Sequence, residues 1–229
     1  MEERQPMLRQ ISAIFWKDLL SELRSREMVF SMLIFSLMVA LIFNFAFPPG
    51  SQFIQEAAPG ILWMTFLFAG LIGMNRTFVY EVDRGCLHGI MIAPVDRFAI
   101  YAGKLLVNFL FMTIVELVAV PMFIIFFGLT ISASVWNLIL VIVLSTLGFS
   151  IVGTLFSAIS VNTRTREVML PILHFPVSIP LIIGSVEATA AIFRDEGWEV
   201  LWGWLKIVIV FDVVFLMVAF LTFEYVIEE

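Results

Sequence analysis

Charge is scarce in this chain. Only 14% of its 229 residues are Asp, Glu, Lys or Arg, against about a quarter in an ordinary soluble domain. Cysteine occurs once, at Cys86, so no disulfide can close within the chain. There are two histidines, His88 and His174, and with one thiol they cannot assemble a metal site of their own. The sequence has no HExxH pair, no CxxC and no serine elbow. It also lacks a Walker A loop: Gly103-Lys104 is followed by Leu105, and no glycine stands five residues before Gly103. No catalytic residue, metal ligand or nucleic-acid partner is therefore assigned, and any use of ATP has to come through another subunit. No internal repeat relates the two halves.

Apolar residues make up 61% of the chain and the mean hydropathy is +1.04. Such values turn a count of domains into a count of membrane spans. A helix needs roughly 20 apolar residues to cross a hydrocarbon core about 30 Å thick. Six stretches qualify, near 28–47, 61–79, 105–127, 135–160, 168–186 and 205–225. Pro48, Pro49 and Gly50 stop the first, and Gly128 closes the third. Small residues in the fourth (Ser145, Gly148, Ser150, Gly153, Thr154, Ser157) mark a packing ridge, because close backbone approach holds helices together in lipid. Pro171, Pro176 and Pro180 predict a kinked or interrupted fifth span. Residues 187–204 are expected to form one or two short helices on the outer surface.

Residues 8–26 precede the first span. Leu8, Ile11, Phe15, Leu19 and Leu23 recur at helical spacing, opposite Arg9, Lys17, Asp18 and Glu22. This predicts an amphipathic helix lying in the membrane interface; a partner-facing helix is the alternative. No cleavable signal is expected of so polar a start. Of the 13 Lys and Arg residues, all but Arg194 and Lys206 fall on one side of the spans. The basic side faces the cytoplasm by the positive-inside rule, which puts both termini there. Trp63, Trp136, Trp198, Trp202 and Trp204 stand at the expected outer boundaries.

The one long polar break, residues 80–104, is expected to be an exposed cytoplasmic loop containing a short helix. Within the spans, Glu116 is a functional candidate by default, since an acid at the bilayer centre costs roughly 2.5–3.5 kcal/mol; a hydrogen bond to a neighbouring helix is the plainer reading. Asp212 is expected to be shallower and solvated. His174 could ligate haem iron or join two helices by a hydrogen bond. The tryptophans before Lys206 suit an aromatic belt better than a haem platform.

Three segments of the polar break carry a resemblance: Glu81-x-Asp83-Arg84-Gly85-x-Leu87, Ala93-Pro94-Val95 and Tyr101-x-Gly103-Lys104. Together they resemble the loop after the second span of type-2 ABC exporter permeases. Cys86-Leu87-His88 departs from the usual Ser/Thr-Leu-acid. The run Leu170 to Pro180 with Glu187-Ala188-Thr189, and Thr146-Leu147-Gly148 with Gly153-Thr154-Leu155, are similar to the CcmB branch, the haem exporter B proteins of cytochrome c maturation. The resemblance implies an all-α permease fold, six transmembrane helices with an N-terminal interfacial helix, in a bacterial inner membrane. Glu81, Asp83, Arg84, Gly85, Leu87, Ile90, Pro94, Gly103 and Lys104 would couple to a CcmA-like ATPase. Glu116, His174, Pro176, Pro180 and Asp212 are the intramembrane candidates, and Glu187, Trp198 and Trp202 those of the outer surface. Implied partners are a second copy of the chain, a CcmC-like haem-handling membrane protein, a small membrane subunit and an outer haem chaperone. Haem is the implied ligand, transported or handled and not covalently held. A permease for lipid or drug, and an ATP-driven remodeller that transports nothing, are the alternatives.

Overall fold

The computed structural model describes residues 6–78, 95–129, 135–161, 163 and 166–228. Among them seven helices follow one another: α1 (Met7–Ser25), α2 (Glu27–Ala46), α3 (Gln52–Met74), α4 (Arg97–Phe127), α5 (Val135–Ser160), α6 (Arg166–Phe193) and α7 (Trp198–Glu228). The last six are long and apolar enough to span a bilayer. The chain is an all-α, multi-pass membrane protein.

Local sequence sets the joints. A single residue, Arg26 with φ 56°, separates α1 from α2. The Glu22 carboxylate reaches across that joint and accepts the Met28 and Val29 N–H groups at 2.7 and 3.3 Å. It thus caps α2, where helix-end amides are otherwise unpaired and the dipole favours an anion. Phe47 is extended, as a residue before proline must be, and α2 ends there. Ser51 accepts the Ile54 N–H to start α3, and Asp96 accepts the Phe98 N–H to start α4. Gly128 closes α4 at φ 63°, a conformation that glycine takes without strain.

α5 is the axis of the bundle, in contact with α3, α4, α6 and α7. The predicted ridge does pack: Ser145, Gly148, Ser150, Gly153, Thr154 and Ser157 are all buried. Its hydroxyls bond across helices. Ser185 Oγ and Ser145 Oγ are 2.6 Å apart, Asn108 donates to Thr154 at 2.8 Å, and Ser157 donates to the Met74 carbonyl at 2.7 Å. Each such bond contributes about 0.6 kcal/mol on average in a bilayer protein.

Several expectations are corrected. α3 opens at Gln52, not Ile61, and carries Pro59 inside it, buried against the bundle. Of the kinked or interrupted span expected from three prolines, the interruption is not found: α6 continues as one helix through all three. Pro176 and Pro180 face outward, where the missing N–H and the ring disturb the lipid side of the helix and leave the packed side whole. No separate short helices occupy 187–204, because α6 runs to Phe193 and α7 starts at Trp198. Residues 97–104, expected in a loop, form the first two turns of α4. Trp63 does not stand on the bundle's surface; it is fully buried and donates to Thr189 at 2.8 Å.

Candidate functional site

Two regions gather polar side chains. The first lies where α1 crosses the start of α4. Gly103 allows the crossing: a Cβ there would lie 2.8 Å from Ile14 Cβ and 3.2 Å from the Ile11 carbonyl. One residue on, Lys104 is 1% exposed. Its ammonium pairs with Asp18 of α1 at 3.2 Å, donates to the Thr77 carbonyl at 3.0 Å and lies 4.6 Å from the Phe78 ring centroid. Gln10 of α1 accepts the Asp96 N–H at 2.8 Å. Thus α1 is fastened directly to the chain just after residue 94, and through Lys104 to the chain just before residue 79. Arg76 pairs with Glu27, joining the end of α3 to the start of α2. A cavity of about 390 Å³ opens between these helices, with Asp18, Glu22, Glu27, Lys17, Arg76 and Lys104 in its lining. Acids and bases balance in it, so it has no net pull on an anion.

Gly103 and Lys104 are therefore corrected as loop residues. They are helical packing and strut positions. Glu81, Asp83, Arg84, Gly85, Leu87, Ile90 and Pro94 lie outside the described residues.

The second region surrounds α5 at membrane depth. Glu116 of α4 is 2% exposed and accepts the Thr146 hydroxyl of α5 at 2.6 Å; its other oxygen has no partner among the described residues. The interhelical hydrogen bond is the plainer of the two roles expected for it. On another side of α5, Asp212 of α7 abuts Gly148 and Leu181. It is buried, not solvated, and neither carboxylate oxygen is bonded among the described residues. Gly148 makes room for it. His174 of α6 is 1% exposed and lies between Phe149 and Phe156, at centroid distances of 6.1 and 6.5 Å. Its Nδ1 has no partner among the described residues, so the expected helix–helix hydrogen bond is not made there. Glu116, His174 and Asp212 thus all border α5 but do not form one cluster. No three His, Cys, Asp or Glu among the described residues are placed to hold a metal.

At the end of the bundle opposite α1, Trp198 and Trp202 are exposed and stacked, 6.1 Å between centroids. Lys206 lies 5.8 Å from the Trp202 ring. Glu187 is half-buried on α6, one helix away. A cavity of about 300 Å³ is lined there by Gln52, Gln55, Glu56 and Arg194.

Residue-by-residue reading missed Asn108, which bridges Thr77 and Thr154. Its signal was available: it stands four residues after Lys104, on the same helix face, inside an apolar run. The Trp63–Thr189 bond had no signal, since 126 residues separate the two.

Sequence comparison extends these observations to known proteins. The chain is 28% identical to "Heme exporter protein B" of Rhodobacter capsulatus over 155 residues, covering 68% of this chain and 71% of that protein. It is 26% identical to the protein of the same name from Pseudomonas aeruginosa, covering 78% and 80%. With that of Escherichia coli K12 it shares 29% identity over 78% of this chain and 82% of the relative. The family described as "CcmB protein" matches residues 9–228, from the first turn of α1 to the last of α7, and the chain belongs to that family.

Proposed function

We propose that this chain is the membrane-spanning permease subunit of an ABC system that acts in haem export for c-type cytochrome maturation. The observation that carries the reading is the family match over residues 9–228, joined to relatives named for haem export. The chain supplies the passage and a separate, CcmA-like ATPase supplies the energy. That ATPase docks on the segment between α3 and α4. Glu81, Asp83 and Arg84 set the docking register by charge, Ile90 anchors it, and Gly85 and Pro94 shape it. ATP-driven closure of the ATPase pair biases the permease between two states. Two copies of the chain work together, with a CcmC-like membrane protein, a small membrane subunit and an outer haem chaperone. The complex sits in the bacterial inner membrane with both termini cytoplasmic.

The junction at Lys104 supports a coupling role. Motion of the segment pulls on both of its ends: Gln10 of α1 holds Asp96 at one, and Lys104, itself paired with Asp18 of α1, holds the Thr77 carbonyl at the other.

The test is purification in mild detergent with identification of what accompanies the chain, together with cytochrome c maturation in Gly85→Val and Pro94→Ala variants. The expected result is a co-purifying ATPase and haem-handling protein, with maturation lost while the variants are still inserted. Normal cytochrome c in cells deleted for this chain would overturn the reading, as would nucleotide hydrolysis by the purified chain alone.

A further inference from the structure

Four interior methionines, Met28 and Met32 of α2, Met74 of α3 and Met112 of α4, are each at most 5% exposed. Glycines bring them together. A Cβ on Gly73 would lie 2.7 Å from Met32 Sδ and 2.8 Å from Met28 Cε. On Gly70 it would lie 2.9 Å from Met112 Cε and 3.2 Å from Met112 Sδ, with Met74 Cε at 4.0 Å. On Gly153 it would fall onto Met74 Sδ, and His174 Cε1 stands 3.5 Å from the same point. The Met74 side chain thus lies beside two of these glycine positions. Around Gly70 stand Met74 Cε and the thioether of Met112, and around Gly153 stand Met74 Sδ and the imidazole of His174, whose Nδ1 has no partner among the described residues. Met112 Sδ in turn takes a weak contact from Ser150 Oγ at 3.8 Å.

Filling space against glycine does not require methionine. Leucine does it with better-defined rotamers, whereas methionine adds a flexible arm and a soft sulfur donor. Two thioethers and one imidazole from three helices are a donor set with a definite preference. Thioether sulfur selects Cu(I), and imidazole suits copper as well. Magnesium and calcium need six or more oxygen ligands, and the Ser150 hydroxyl beside Met112 is no such set. All three donors are neutral, so a bound univalent ion brings only a single charge into an apolar interior, where every further charge is costly.

We propose that Met74, Met112 and His174 form a binding site for a soft univalent metal ion, Cu(I) in the cell and Ag(I) as its laboratory stand-in. Met28 and Met32 continue the sulfur-lined seam toward the α1 end of the bundle. This site does not depend on the haem reading, and each can fail alone.

The test uses the full-length protein in mild detergent without oxygen. Cu(I) is titrated in against a chromophoric Cu(I) chelator. Wild type is expected to withdraw one equivalent. Retention should fall at least tenfold in Met74→Leu and in His174→Gln, and stay unchanged in Met217→Leu, whose side chain is 62% exposed. X-ray absorption should show sulfur scatterers in wild type and lose them in Met74→Leu/Met112→Leu. Ag(I) should raise the unfolding midpoint of wild type and not that of the double variant, since a ligand stabilises only the fold that binds it. Matching elution profiles show that the variants are folded. A wild type that takes no Cu(I) from the chelator overturns the site, as do variants that hold it equally well. Haem binding without Cu(I) or Ag(I) binding would also reject the ion site while leaving the haem reading intact.

Discussion

Replacing Lys104 by methionine keeps the side-chain length and removes the charge. The interactions lost include the pair with Asp18 at 3.2 Å, the bond to the Thr77 carbonyl at 3.0 Å and the approach to the Phe78 ring. Breaking a fully buried pair costs about 3–5 kcal/mol, mostly because the partner is left charged and dry. Asp18 is not fully dry. Its side chain is 19% exposed and Lys17 lies 3.1 Å away. The expected loss for Lys104→Met is therefore about 2–3 kcal/mol, near the value of one charged hydrogen bond plus part of a desolvated carboxylate. Unfolding in detergent reads it directly, and limited proteolysis after α1 reads whether that helix has come loose. Adding Asp18→Asn to Lys104→Met removes the stranded charge and should restore about 1–2 kcal/mol, the coupling expected of residues in contact. A Lys104→Met protein as stable as wild type would refute the strut, and so would a double variant no better than the single one.

Four further outcomes follow from the packing around α5. Glu116→Gln keeps an acceptor for Thr146 and should change stability by less than about 1 kcal/mol, whereas Glu116→Leu should separate from it by about 1 kcal/mol in the same unfolding assay. Gly153→Ala sets a methyl onto Met74 and His174 and should cost about 1–3 kcal/mol by overpacking; Met74→Ala in the same chain should return part of it. Trp63→Phe loses the bond to Thr189 and some volume, for about 1–3 kcal/mol, and Thr189→Val keeps the ring but loses that bond together with the one Thr189 donates to the Ser185 carbonyl at 2.8 Å. Gly148→Ala drives a methyl into Asp212 and Leu181; Asp212→Ala should relieve it, which a double-mutant cycle will record.

Periodicity and composition made the spans legible because lipid leaves a helix little choice: every backbone group must be paired within it. Small residues on α5 announced a packing seam for the same reason. Helix ends were less readable. The second span was expected to open near Ile61, yet α3 opens at Gln52 and carries Pro59 inside it. Asp83, Arg84 and Lys104 read alike as loop charges, but Lys104 is inside a helix, because Asp96 starts that helix eight residues earlier. Asp212 sits at the same membrane depth as Gly148, and depth along a bundle is a tertiary fact that no spacing within one span encodes. The site was half-legible on these terms: which polar residues matter could be listed, but not which ones meet.

α4 has 31 residues, so it is roughly 46 Å long at 1.5 Å per residue, well beyond the hydrocarbon thickness of about 30 Å. Near one tip it carries Lys104, clasped by α1; at the other, the Phe127 carbonyl accepts the Gly50 N–H of the α2–α3 turn at 2.9 Å. A rod anchored at both leaflets behaves as a lever. A tilt of about 10° about its midpoint shifts each tip by about 4 Å in opposite directions, given that length. A push on one surface of the membrane thereby arrives at the other without any helix having to melt.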